Sequence, residues 1–344
     1  MEFGTTAVTV LLLVAMAIPG FILVKAKVIK PHAISYFSAV LLYASQPFLS
    51  IRSFLQADYT PELAVNLGIV FLFSLLAQGL LFGVLWAILA RKFDDPADSR
   101  RLLEEGFLAP HAAIKDEGLA ALASRCAKGR ACRVFVLAAT FGNVGFFGVP
   151  VLQMLFPLAP ETIAYSAVFI VSMNLMCWTL GSYLLTGDKK YISLKKAILN
   201  PQMIALIIAL PLFFTGVTSD DLPDAVNKVI SFLADMTAPL CMIILGMRFA
   251  VAPVRELFTD IKVYISVFIK VLVFPLAVYL VLLPFKSMDE MMKISLVILS
   301  GMPSASINLN LAELYGADQK TAANNILLST LLSILTIPLI MLLF

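Results

Sequence analysis

Charge is scarce in this sequence. Aspartate, glutamate, lysine and arginine make up 14% of its 344 residues, against about a quarter in an ordinary soluble domain, and that excludes such a domain. Histidine is scarcer still: His32 and His111 stand alone and far apart, and the four cysteines (Cys126, Cys132, Cys177, Cys241) form no CxxC pair. A zinc site or a disulfide framework is therefore not expected; free thiols are, with no metal and no cofactor. There is no basic stretch interleaved with aromatics, so nucleic acid is not an expected partner. No nucleophile–histidine–acid set lies in the apolar stretches, so the chain does not read as an enzyme. Nor does a basic region precede the first apolar run or a small-residue cleavage signal follow it. Residues 5–24 thus read as a first membrane span rather than a signal peptide.

What the sequence has in abundance is apolar length. Hydrophobic residues reach 60% and the mean hydropathy is +0.95. A bilayer-crossing helix needs roughly 20 apolar residues. Stretches of that kind lie at about 5–24, 34–54, 63–90, 133–156 and 162–186, and again at 199–217, 225–250, 258–284, 290–315 and 320–343. The expectation is an all-α polytopic membrane protein with ten transmembrane helices. They fall into two sets of five, and in each set the fourth is interrupted, first at Gly142 to Pro150 and then at Gly301 to Asn308. Glycine and proline make poor helix, and unpaired backbone in hydrocarbon survives only inside protein or a wet cavity. Paired interruptions point to an internal repeat with a binding site between its halves. An odd number of spans per half makes that repeat inverted.

Orientation follows from the basic residues. Lys25, Lys27 and Lys30 follow the first stretch, nine basic residues from Arg91 to Arg133 the third, and Lys189, Lys190, Lys195 and Lys196 the fifth. Arg248, Arg255 and Lys262 follow the seventh and Lys320 the ninth; the opposite side holds only Arg52, Lys228, Lys286 and Lys293. Twenty against four places the odd-numbered loops in the cytoplasm and both termini outside it. The long loop 91–132 mixes charges. Pro96 after Asp95 signals a helix start, and Ile114, Leu119 and Leu122 suggest an amphipathic second piece, giving a cytoplasmic helical hairpin on the membrane surface that serves mainly as a solvated connector.

Polar residues in apolar stretches need a reason. Asp235, ahead of Thr237-Ala238-Pro239, reads either as a carrier of a coupling proton or cation or as the cap of a helix kinked by proline. Lys270 reads as a fixed charge that replaces a sodium ion or attracts an anion, or as half of an internal ion pair, or as a snorkelling side chain if its span starts later. Arg248 snorkels to the surface, and Glu313 is interfacial. Asn143 in the first interruption, with Ser304, Ser306, Asn308 and Asn310 beside Pro303 in the second, supplies neutral donors around one region. Gln46 precedes Pro47, and Asn174 lies four residues before Trp178 on one helical face. Singly, each is explained by interhelical hydrogen bonding worth about 1 kcal/mol; together, beside two helix breaks, they favour a site.

The run Asn143-Val144-Gly145-Phe146-Phe147-Gly148-Val149-Pro150 resembles the N-x-G-[FV]-x-G-[IL]-P break of the auxin efflux carrier family, which includes plant auxin exporters and bacterial permeases for malonate, malate and related acids. Asn200-Pro201, Ala238-Pro239-Leu240, Leu245-Gly246-Met247, Gly301-Met302-Pro303, Leu311 to Gly316, Ser329-Thr330-Leu331 and Pro338-Leu339 follow in the family's order. The resemblance implies a fold like that of sodium/bile-acid symporters, with broken helices 4 and 9 crossing and an elevator cycle. It implies scaffold helices 1–2 in residues 1–60 and 6–7 in 188–252, and transport-domain helices 3–5 in 61–187 and 8–10 in 253–344. It also implies a small organic anion, a mono- or dicarboxylate, at the crossover and a homodimer through the scaffold helices. Asn143, Gly145, Gly148 and Pro150 match the family's crossover positions, and Asn174 and Trp178 its fifth-span positions. Two departures, a proline at 303 rather than near Asn308-Leu309 and a long loop after the third span rather than the fifth, point away from a plant exporter and towards a bacterial-type permease of the inner membrane. Two other readings stand beside it: a cation/proton antiporter of related architecture, and a metabolite or sterol sensor that uses the carrier fold without transport.

Overall fold

A backbone amide in hydrocarbon has no water to bond, so long apolar stretches fold as helices that satisfy their own main chain. The computed structural model of the protein describes residues 3–95, 98, 101–102, 104, 117–251 and 260–344. Pro96, Arg100, Glu105, His111, Ile114 and Arg255 lie outside the described residues, and with them the expected helix start after Asp95.

In chain order the helices are α1 (Ala7–Lys25), α2 (Ala33–Gln56), α3 (Pro61–Lys92), α4 (Glu117–Thr140), α5 (Val144–Leu155) and α6 (Glu161–Thr186). They continue as α7 (Pro201–Phe214), α8 (Asp224–Val251), α9 (Ile261–Leu282), α10 (Glu290–Ser300), α11 (Ser306–Leu314) and α12 (Gln319–Met341). Seven of them (α1, α2, α3, α6, α8, α9 and α12) are long and apolar enough to cross a membrane. An eighth crossing arises if Lys189–Ile198 and α7, bent by 46°, act as one. The remaining two expected spans are each divided, α4 from α5 and α10 from α11, and α10 and α11 are too short to cross alone.

Local sequence explains the ends. Asn200 caps α7 by accepting from the Met203 N–H at 2.9 Å, with Pro201 in the first turn where its missing N–H costs nothing. Leu72, Leu76 and Leu80 recur every fourth residue on α3 and stay 59%, 70% and 71% exposed. Such a stripe is a liability in water and the expected contact with lipid in a bilayer. The protein is an integral membrane protein.

Two corrections concern the interruptions and the loop. Only residues 141–143 and 301–305 leave the helical path; helix resumes at Val144 and at Ser306, so Gly145 to Pro150 and Ser306 to Asn308 are helical. The amphipathic piece around Leu119 and Leu122 is no separate hairpin arm, because α4 runs unbroken from Glu117 to Thr140. Nor is the described part of the loop merely solvated. Leu102, Ala123 and Cys126 form a buried cluster, and Arg133 holds Asp94 in a buried ion pair, Nε to Oδ1 at 2.8 Å. The same guanidinium donates to the Asp94 carbonyl at 2.6 Å and to the Leu184 carbonyl, and lies 4.9 Å from the Phe93 ring centroid. It thereby ties the end of α3 to α4 and α6. Arg133→Ala should cost about 3–5 kcal/mol by leaving the Asp94 carboxylate buried and alone. Thermal melts in detergent would check this, with Asp94→Ala/Arg133→Met expected to recover part of the loss.

Candidate substrate site

Four of the described helices are wound wide for one turn: α2 at Leu41–Ser45, α5 at Val144–Gly148, α6 at Cys177–Gly181 and α9 at Ile269–Val273. In α2, α5 and α9 the wide turn is followed, two residues on, by a proline: Pro47, Pro150 and Pro275. Proline offers no N–H and crowds the carbonyl four residues back, which in each case lies inside the wide turn. The widening brings side chains off the regular helical register, and Gln46, Gly145 and Lys270 sit in or beside these turns.

The two interruptions meet. Residues 141–143 and 301–305 pass antiparallel, with Gly142 and Ser304 forming a single β-bridge. The Asn143 N–H donates to the Pro303 carbonyl at 2.6 Å and the Ala305 N–H to the Phe141 carbonyl at 2.9 Å. Asn308 is fully buried; its Nδ2 donates to the Phe141 carbonyl at 3.3 Å and the Ser304 hydroxyl at 3.0 Å, while its Oδ1 has no partner among the described residues. Ser304 is held from the other side, its N–H donating to the Ser329 hydroxyl at 2.9 Å.

Lys270 is buried beside this joint. Its Nζ donates to the Ser300 carbonyl at 2.5 Å, at the C-terminal end of α10, and lies 4.9 Å from the Phe274 ring centroid. A helix C-terminus carries a negative partial charge, so the ammonium group is well placed there. Its approach also explains Gly142: a Cβ at that position would stand 3.0 Å from the lysine Nζ. On the far side of the joint, a Cβ at Gly145 would stand 2.7 Å from Gln46 Nε2, which is buried without a partner. Asn143, Gly145, Pro303, Ser304, Asn308, Gln46 and Lys270 are therefore gathered at one place. Gly148 and Pro150 are buried close by, Gly148 against Met302 and Leu299, and Ser306 is buried at the start of α11.

Other expected residues lie elsewhere. Trp178 packs against the apolar cluster that contains Phe141 and Ala305, with Lys196 Nζ 5.2 Å from its ring centroid; Asn174 is half-buried one turn earlier. Asn310 and Glu313 are exposed and face a separate cavity. Asp235 pairs with Arg52 at 2.5 Å and is 64% exposed, an arrangement neither of its expected roles anticipated. Sequence reasoning gave Ser329 no part in the site and passed over Asn325, whose carbonyl accepts from the Ser329 hydroxyl at 2.5 Å. Their four-residue spacing on an otherwise apolar helix was the available signal.

Two broken helices joined through their main chains, with a buried cation against one of them, form the arrangement in which known relatives become informative. Residues 190–341 match the model of a family described as membrane transport protein. The motif resemblance to auxin efflux carriers and malonate permeases is borne out. An uncharacterized transporter of Methanocaldococcus jannaschii is 28% identical over 211 residues, covering 59% of this chain and 66% of that protein. A provisionally named malonate transporter of Rhizobium meliloti is 25% identical over 212 residues, covering 58% and 63%. The chain thus spans just under two thirds of the length of these curated transporters.

Proposed function

We propose that the protein is a secondary transporter of a small organic anion, a mono- or dicarboxylate, bound where the two broken helices meet. The observation that carries this is the Gly142–Ser304 joint, with the Asn143 and Asn308 amides and the buried Lys270 ammonium around it. Helix N-termini at Val144 and Ser306 offer first-turn amides that have no partner within their helices, and the charge buried beside the joint, on Lys270, has the sign that attracts an anion. That sign also speaks against the cation/proton antiporter reading. In this proposal α4 with α5, and α10 with α11, count as the fourth and ninth of ten spans in two inverted repeats. Residues 61–187 and 253–344 move as a transport domain against a scaffold of 1–60 and 188–252, which also forms the homodimer contact. A membrane potential moves a charged substrate by about 2.3 kcal/mol per 100 mV, so no coupling ion is required. The name of the Rhizobium protein supports a carboxylate as the cargo.

Purified protein in sealed liposomes should give a saturable current on rapid addition of one or more carboxylates, with or without sodium. Asn143→Ala should abolish it while melting near the wild type, since the main-chain bond from position 143 to Pro303 survives the substitution. Absence of current and of isotope uptake for every acid tested would overturn the carrier reading, and binding without movement would favour a sensor.

A further inference from the structure

Between α6 and α7 the chain runs through a short connector of mixed character. Gly187 stops α6 at φ 66°, the left-handed conformation of a helix C-terminus. Lys189–Ile198 follows, bent by 46° from α7. Four of the eight residues from Lys189 to Lys196 are lysines, against one carboxylate in the connector, Asp188. That charge keeps the connector out of hydrocarbon. Ile192, Leu194, Ile198 and Leu199 are nevertheless all exposed, with Leu194 and Ile198 one turn apart on the short helix Leu194–Ile198. A segment that presents both apolar and cationic side chains beside the ends of membrane helices belongs in the headgroup region of a bilayer.

The rest of the connector's surface is held against the protein. The Ser193 N–H donates at 3.0 Å to the Trp178 carbonyl, in the wide turn of α6. Ala197 is buried, and Lys196 Nζ stands over the Trp178 ring, 5.2 Å from its centroid. Lys190 Nζ pairs with the Asp188 carboxylate at 3.1 Å. Lys189 and Lys195, both exposed, are left to meet an acceptor from outside the chain.

We propose that residues 189–199 form a docking surface for an anionic phospholipid, its phosphodiester against Lys189 and Lys195 and its acyl chains along Leu194, Ile198 and Leu199. Free phosphate matches the lysines but leaves the apolar side chains in water. A neutral lipid covers the apolar side chains but leaves the lysines without a counter-charge. Each lysine near an anionic lipid surface adds attraction that acts within about a Debye length, and only a lipid with a negative head satisfies both parts of the surface. The site goes beyond the carrier reading and does not depend on it, since none of its residues lies at the helix joint.

The experiment uses the whole protein in nanodiscs, carrying Trp86→Phe so that Trp178 is the sole tryptophan. Its fluorescence is quenched by phosphatidylglycerol or by phosphatidylcholine, each brominated near the glycerol end of its chains and diluted into unbrominated phosphatidylcholine. Phosphatidylglycerol should reach half-quenching at a mole fraction about fivefold lower or better, as two lysines near an anionic headgroup imply. Lys189→Gln/Lys195→Gln should bring the two lipids together. Lys25→Gln/Lys27→Gln, which removes equal charge from another exposed loop, should leave the preference intact. Native mass spectrometry of the protein with both tryptophans should retain phosphatidylglycerol, and the Lys189→Gln/Lys195→Gln protein should lose it. Equal quenching by the two lipids would overturn the proposal, as would a preference that survives Lys189→Gln/Lys195→Gln. So would an equal loss in Lys25→Gln/Lys27→Gln, which assigns the preference to general surface charge. Displacement of the lipid by inorganic phosphate, against chloride at matched ionic strength, would make the site one for a free anion and likewise overturn it.

Discussion

Gly246→Ala should cost about 3 kcal/mol or more, above the usual range for an added methyl group in a packed core. α1 and α8 cross so closely that a Cβ at Gly246 would stand 1.8 Å from the Ala17 carbonyl oxygen. The reciprocal approach is as tight, a Cβ at Gly20 falling 2.0 Å from the Ile243 carbonyl oxygen. Both obstacles are main chain, so no rotamer change relieves them and the two helices must separate along their whole contact. Small residues that let backbones touch are how membrane helices gain dispersion energy where lipid offers no hydrophobic drive. Size-exclusion profiles and thermal melts in detergent would measure the effect. Gly68→Ala on α3 is the control, since nothing lies within 4 Å of its added methyl; it should be neutral or slightly stabilising, alanine being the better helix former. A Gly246→Ala protein that melts like the wild type would mean that the helices do not cross this closely.

Lys270→Met should separate stability from transport. Lys270 is 1% exposed, its ammonium group has no carboxylate in hydrogen-bonding range among the described residues, and it is held by one carbonyl and the face of one ring. Burying such a charge is expensive, and replacing buried charges with apolar groups of like size is often neutral or stabilising by about 1–4 kcal/mol. The variant is therefore expected to melt at or above the wild-type temperature. Carboxylate-driven current should nevertheless fall about a hundredfold, equivalent to ~2.7 kcal/mol, because the positive charge at the joint is gone. A lower melting temperature with undiminished current would assign Lys270 a structural role as the cap of α10 and remove it from the site.

The helices were legible in the sequence because hydropathy, capping and helix breaking are local. Asn200-Pro201 begins α7, and the glycine- and proline-rich runs at 142 and 301 mark where the main chain leaves the helix. The extent of the breaks was not legible, since glycines that look like interruption are accommodated in the wide turn Val144–Gly148. Partner choice was less legible still. Asp235 finds Arg52 at a separation of 183 residues and Arg133 finds Asp94 across 39. Nothing in the local sequence distinguishes a lysine that faces another helix's last carbonyl from one that reaches the surface. The gathering of Asn143, Ser304 and Asn308 was readable only as two equivalent breaks in two halves of the chain; that they touch through Gly142 and Ser304 is a product of packing.

The contacts that join the two breaks run chiefly from amide to carbonyl: position 143 to 303, and 305 to 141. Such bonds are made by nearly any residue, so they persist whatever side chain is substituted there, proline apart. Around that constant joint the amides and hydroxyls are free to change without undoing it. In the proposed carrier, one cargo could therefore be exchanged for another by single substitutions while the main-chain joint stays as it is.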